Sequence, residues 1–186
     1  MTRERRAFLL VVAFAALWAG VEAIARHVVF RYSAFQVVWA RYAVHLLLML
    51  VIWGRSPASL WRTRRPAYQL GRSLLMLVMP GSWALAMAGG TPGNLILGLF
   101  WVSPVVILLL AAWILDERPG LLTWVAAIAG YAGAVLTFRP PLPGGSQLVL
   151  PLLMSLSFSL YVVLTRPLRF ETTRANLFYS ALGVFL

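Results

Sequence analysis

The chain has 186 residues, of which 61% are hydrophobic and 11% charged, with 16 arginines, no lysine and a net charge of +11. So little polar surface excludes an ordinary soluble domain, and arginines placed in short gaps between apolar runs exclude the clustered basic face of a nucleic-acid binder. The absence of cysteine removes disulfides, thiol catalysis and cysteine-based metal sites.

Crossing roughly 30 Å of hydrocarbon takes about 20 residues of helix, and six apolar runs approach that length. None alternates as a barrel strand does, so each is expected to be a helix that satisfies its own backbone. The first run, 7–26, reads AFLLVVAFAALWAGVEAIAR. It contains Trp18 and, close to its far end, Glu22. RRAFL at 5–9 looks like part of a twin-arginine signal, and Ala23-Ile24-Ala25 has the form of a cleavage site. Five further spans follow, and a polytopic chain needs no removable leader, so an uncleaved first helix is expected. The second run, 35–53, carries Trp39, Arg41 and His45. The third, 73–90, has Pro80-Gly81 at its middle and Trp83 beyond; TPGN at 91–94 then turns the chain.

The fourth run, 93–115, contains Trp101 and Ser103-Pro104. Pro80 and Pro104 are each expected to free a carbonyl one turn earlier and bend the helix. Asp116-Glu117-Arg118 before Pro119 reads as a tight turn whose charges can pair with neighbouring arginine-rich loops. The fifth run, 120–138, places Ala126, Gly130 and Ala134 at four-residue steps, as Ala15, Ala19 and Ala23 are in the first; such spacing permits close helix approach. RPPLPGG at 139–145 is the main internal boundary. The sixth run, 148–165, carries Tyr161. A seventh begins near Ala175, and its stretch of about 18 Å as helix is too short to cross a bilayer. A truncated record or gene product is the expectation, with a short re-entrant segment as the alternative.

Loop arginines set the orientation. Arg3, Arg5, Arg6, Arg55, Arg62, Arg64, Arg65, Arg72, Arg118, Arg166, Arg169 and Arg174 fall on the N-terminal side. Arg26, Arg31 and Arg139 fall on the other, and Arg41 lies within a helix. The positive-inside bias therefore predicts a cytoplasmic N-terminus in the inner (plasma) membrane.

An ionisable group within a span is a functional candidate by default. Glu22 lies about 6 Å and Arg41 about 9 Å from the same end of their helices, so an ion pair between neighbouring spans is one reading. Glu22 pairing with Arg26 at i, i+4, and Arg41 snorkelling to the surface, is the other. His45 follows Arg41 by one turn, near mid-membrane, where imidazole can carry a proton; packing is its plainer role. Trp18 and Tyr161 are candidates for stacking on a solute, and Pro104 for shaping a bent helix beside one. Neither His27 nor His45 has a partner at metal-ligand spacing. No phosphate loop, nucleophile elbow, zinc motif or paired catalytic carboxylate occurs, so no enzyme activity, cofactor or metal is expected.

LWAGVEAIARHVVFRYSAFQVVWARY, FWVSPVVILLLAAWILDERPG, WVAAIAGYAGAVLTFRP and SLYVVLTRPLRFETTRANLFYSALG, in this order, resemble the EamA type of the drug/metabolite transporter superfamily. The resemblance implies an all-α polytopic membrane bundle: a first five-helix repeat over 1–138, a linker at 139–147, and the start of an inverted second repeat over 148–186. An offset of 140 residues pairs Arg26 with Arg166, Gln36 with Asn176 and Trp39 with Tyr179, an echo of that inversion. Asp116 stands where the family usually has glycine before the Glu117 position. The implied function is transport of a small organic metabolite by alternating access across a lipid bilayer, with Trp18, Glu22, Arg41, His45, Pro104 and Tyr161 as substrate-binding candidates. A non-transporting scaffold or assembly subunit is the rival reading.

Overall fold

Punctuation by Pro, Gly and Ser divides the apolar sequence into helices α1 (Arg3–Val28), α2 (Ala34–Trp53), α3 (Ala58–Trp61), α4 (Pro66–Ala88), α5 (Gly93–Phe100), α6 (Ser103–Ile114), α7 (Leu121–Phe138), α8 (Val149–Thr165) and α9 (Thr173–Phe185). The computed structural model describes residues 3–28, 31–55, 58–142 and 144–185; the side chains of Arg3, Glu22, Arg26 and Ala34 also lie outside the description. Among the described residues there is no strand. Among the described residues six stretches are long and apolar enough to cross a membrane: Glu4–Ala25, Phe35–Trp53, Pro66–Ala88, Gly93–Ile114, Leu121–Phe138 and Gly145–Leu168. The chain is an all-α polytopic bundle.

Local chemistry explains the helix ends. Ser33 caps α2: its hydroxyl accepts from the Gln36 N–H at 3.2 Å, while the Gln36 side chain accepts from the Ser33 N–H at 3.0 Å. This reciprocal pair satisfies two N–H groups that a helix start leaves without partners. Pro66 begins α4, where a missing N–H costs nothing. That start corrects the apolar reading, which began the third span at residue 73. Gln69, Arg72 and Ser73 are inside the helix and buried against its neighbours, so Arg72 is not a loop arginine.

The fourth span departs further from expectation. It does not bend at Pro104 but stops at Phe100, turns through 101–102 and restarts as α6. Pro104 has no N–H for the Phe100 carbonyl one turn back, and the Ser103 hydroxyl donates to that carbonyl instead, at 2.5 Å. Pro80 behaves differently, because α4 runs through it. The Met76 carbonyl, orphaned by the proline, accepts from Tyr42 Oη of α2 at 3.1 Å. After α6, Asp116 takes a left-handed φ of 50°, the region glycine enters at no cost.

α4 is the central element, packed chiefly on α8 and α9, with α2 beside α9. Its buried Met79, Trp83, Ala84 and Met87 meet Val38, Tyr42, Leu46 and Met49, which form one stripe of α2. Trp39 stacks on Phe185 at 5.4 Å, and Arg174 lies 5.5 Å over Trp53, so α2 and α9 run antiparallel and are held at both ends. Residues 58–64, 117 and 166–174 share one face of the bundle: Arg64 N–H donates to Glu171, Tyr179 Oη to the Trp61 carbonyl, and Arg166 to Glu117. Residues 94 and 139–140 lie on the opposite face, where Asn94 reaches the Arg139 carbonyl and Gly98 makes room for the Pro140 ring. The small-residue stripe of α7 makes no close approach at its glycines among the described residues. Nothing lies within 4 Å of the position a side chain would take at Gly130 or Gly133, nor at Gly20 of α1.

Candidate functional site

Arg72 lies about 9 Å along α4 from Pro66 and is only 2% exposed. Its Nη1 donates to Thr165 Oγ1 at 2.9 Å. Its Nη2 faces three acceptors: Gln69 Oε1 at 2.9 Å, Ser180 Oγ at 3.0 Å and the Asn176 carbonyl at 3.1 Å. The guanidinium carbon stands 4.5 Å over the Tyr161 ring, a favourable cation–π distance. Tyr161 Oη and Ser180 Oγ are 2.9 Å apart, and Gln69 donates to Asn176 Oδ1 at 2.6 Å. One arginine thus joins α4, α8 and α9 through neutral groups. Its Nε is buried without a partner among the described residues.

A second polar group lies toward the opposite face. Arg41 is exposed on α2, its guanidinium 5.3 Å over the half-buried Trp18 ring of α1. His45, half-buried one turn along α2, stacks on Tyr42 with ring centres 6.4 Å apart. Tyr42 in turn bonds the Met76 carbonyl, one turn beyond Arg72 on α4. Polar groups therefore step along the bundle from Arg41 and Trp18, through His45 and Tyr42, to Arg72 and Tyr161.

Of the residues nominated from sequence, the structure brings Trp18 and Arg41 together, with His45 beside them and Tyr161 in the separate Arg72 cluster. Glu22 lies on α1, but its side chain and that of Arg26 are outside the described residues, so neither ion pair is placed. Pro104 is exposed at the start of α6; its neighbour Ser103 belongs to a buried serine group. Ser103 Oγ lies 2.9 Å from Ser155 Oγ, and Ser159 Oγ donates to the Ser103 carbonyl at 3.3 Å, which sews α6 to α8. The expected pairing of the Asp116–Arg118 turn is present, since Glu117 forms an ion pair with Arg166. Among the described residues no cluster of His, Asp and Glu could hold a metal ion.

Sequence reasoning missed Gln69, Arg72, Thr165, Asn176 and Ser180. A signal for them exists: Gln69/Arg72, Tyr161/Thr165 and Asn176/Ser180 are polar pairs one turn apart on three helices, each giving one wet stripe to an otherwise greasy face.

The model of the EamA-like transporter family matches residues 5–139. The S-adenosylmethionine uptake transporter of Rickettsia bellii is 27% identical over 159 residues, covering 82% of this chain and 53% of that protein. Its counterpart in Rickettsia prowazekii is 26% identical over 159 residues, covering 82% and 52%. The riboflavin transporter of Rhizobium johnstonii is 30% identical over 137 residues, covering 73% and 45%. The chain spans about half the length of these curated relatives. No solved structure matches it.

Proposed function

Because the chain belongs to the EamA-like transporter family, whose relatives named above are transporters and not enzymes, we propose that it moves a small organic metabolite across the inner membrane by alternating access. The observation that carries this reading is the stepped line of polar groups along a bundle of lipid-crossing helices, from exposed Arg41 to buried Arg72. Polar and charged groups at membrane depth are costly and are kept where they line a solute path. Arg41, Trp18 and His45 receive the solute in the outer half, together with Glu22. Tyr161 and the Arg72 cluster face it from the inner half, and Pro104 sets the break that lets α5 and α6 tilt separately. The loop arginines put the N-terminus in the cytoplasm. Residues 1–138 act as one repeat, joined by the 139–147 segment to the start of an inverted copy.

Proteoliposomes loaded with the protein test this. Labelled S-adenosylmethionine and riboflavin, the solutes named for the relatives, are the first to offer. The expected result is uptake of at least one above empty vesicles. Arg41→Ala is expected to cut it by at least tenfold while membrane insertion stays normal. Unchanged uptake in that variant removes Arg41 from the path; no uptake of either solute, or of other small metabolites, overturns the transport reading.

A further inference from the structure

The acceptors around Arg72 do not match its donors. Nη2 carries two protons and meets three acceptors, the Gln69 side chain, the Asn176 carbonyl and Ser180 Oγ. Nε carries one proton and meets no acceptor among the described residues, although it is buried. These two nitrogens share one edge of the guanidinium plane, the edge that grips a carboxylate through two parallel hydrogen bonds. Every acceptor present among the described residues is neutral. The acids accounted for lie elsewhere: Glu117 is on Arg166, and Glu171 accepts from the Arg64 N–H at the near face. A guanidinium held away from water with no opposite charge among the described residues is an unfinished ion pair.

A cationic groove lies on the same side of the bundle. At the face shared by α3 and the start of α9, a groove of about 610 Å³ is lined by Ala58, Ser59, Arg62, Thr172, Thr173 and Arg174. Its charged lining is entirely cationic, which raises the local concentration of anions. Thr173 of the groove lies one helical turn before Asn176, whose carbonyl accepts from Nη2.

We infer that the Nε–Nη2 edge of Arg72 is an anchoring site for the carboxylate of a small organic acid, reached through the Arg62/Arg174 groove. The inference rests on the transport reading and names its substrate class. On binding, one carboxylate oxygen accepts from Nε and the other from Nη2. Ser180 Oγ, which keeps its bonds to Tyr161 and the Asn176 carbonyl, gives up its place on Nη2. The Tyr161 ring holds the guanidinium plane from one side, so the fork stays oriented while its partner changes.

Equilibrium dialysis of the detergent-purified chain with labelled benzoate, against empty micelles, tests the site. The expected result is saturable binding that benzamide, the neutral analogue of the same shape, does not displace. Arg72→Gln is expected to weaken binding at least tenfold. Arg72→Lys keeps the charge but loses the fork, and is expected to weaken it by a similar factor, which covers the case in which the glutamine variant fails to fold. The double variant Arg62→Gln/Arg174→Gln is expected to weaken binding severalfold without abolishing it. Absence of benzoate binding, displacement by benzamide, or an Arg72→Lys protein that binds like the parent overturns the inference. Metabolite uptake in proteoliposomes with no benzoate binding would sink this site alone; benzoate binding with no uptake of any solute would sink the transport reading alone.

Discussion

A side-chain carbon placed on Gly183 of α9 would overlap Ser73 Oγ and stand 2.7 Å from Ser73 Cβ on α4. In lipid, helices gain nothing from hiding apolar surface, so contact between backbones and small residues supplies much of their adhesion. Ser73 cannot easily yield, because it is fully buried and its hydroxyl donates to the Leu70 carbonyl at 2.5 Å. Gly183→Ala is therefore expected to lower unfolding stability in detergent by about 1–3 kcal/mol. Gly130→Ala, where nothing lies within 4 Å, is expected to change it by less than about 0.5 kcal/mol. Thermal melts of the two proteins check the contrast. At this scale the sequence misleads in a specific way: the glycines in a regular small-residue stripe meet nothing among the described residues, whereas isolated Gly183 marks a close approach of α9 to α4. Arg72 misleads for a related reason. An arginine beside an apolar run reads as its boundary, and only the polar pairs on α8 and α9 reveal that it lies within the helix.

Among the elements, the runs at 35–53, 93–115 and 120–138 were legible because length and hydropathy alone define a lipid-crossing helix. What hydropathy does not carry is the fate of the carbonyls that proline strands. Pro80 and Pro104 have the same local chemistry, and the difference lies in who answers. A hydroxyl from a neighbouring helix, Tyr42, completes α4, whereas the Ser103 hydroxyl supplied within the same chain segment completes the Phe100 end and lets the span break. This yields a double-mutant test. Tyr42→Phe strands the Met76 carbonyl and is expected to cost about 1–2 kcal/mol. In a Pro80→Ala background the main-chain N–H gained at that position takes the carbonyl, and the same tyrosine change is expected to cost less than half as much. Equal costs in both backgrounds, measured by thermal unfolding, would show that the hydroxyl does not complete the helix.

For the molecule as a whole, the near face gathers the Glu117–Arg166 pair, the Arg64–Glu171 contact and the basic groove, while Asn94, Arg139 and Pro140 mark the far face. A chain without cysteine is open to single-cysteine labelling. With the cytoplasmic N-terminus we propose, Tyr32→Cys is expected to react with an impermeant maleimide added outside intact spheroplasts. Arg64→Cys is expected to react only after the membrane is opened, and the reverse pattern would invert the topology. The two-faced arrangement was legible from the arginine count; the cluster joining α4 to α8 and α9 was not, because it depends on which helices meet.

Three tyrosines, Tyr42, Tyr68 and Tyr179, each donate to a main-chain carbonyl on a different element, at Met76, Leu164 and Trp61. A main-chain oxygen survives every substitution of the residue that bears it. These seams therefore tolerate drift on the receiving side and forbid it on the giving side, so related sequences can wander widely at the acceptor positions while the fastenings stay intact.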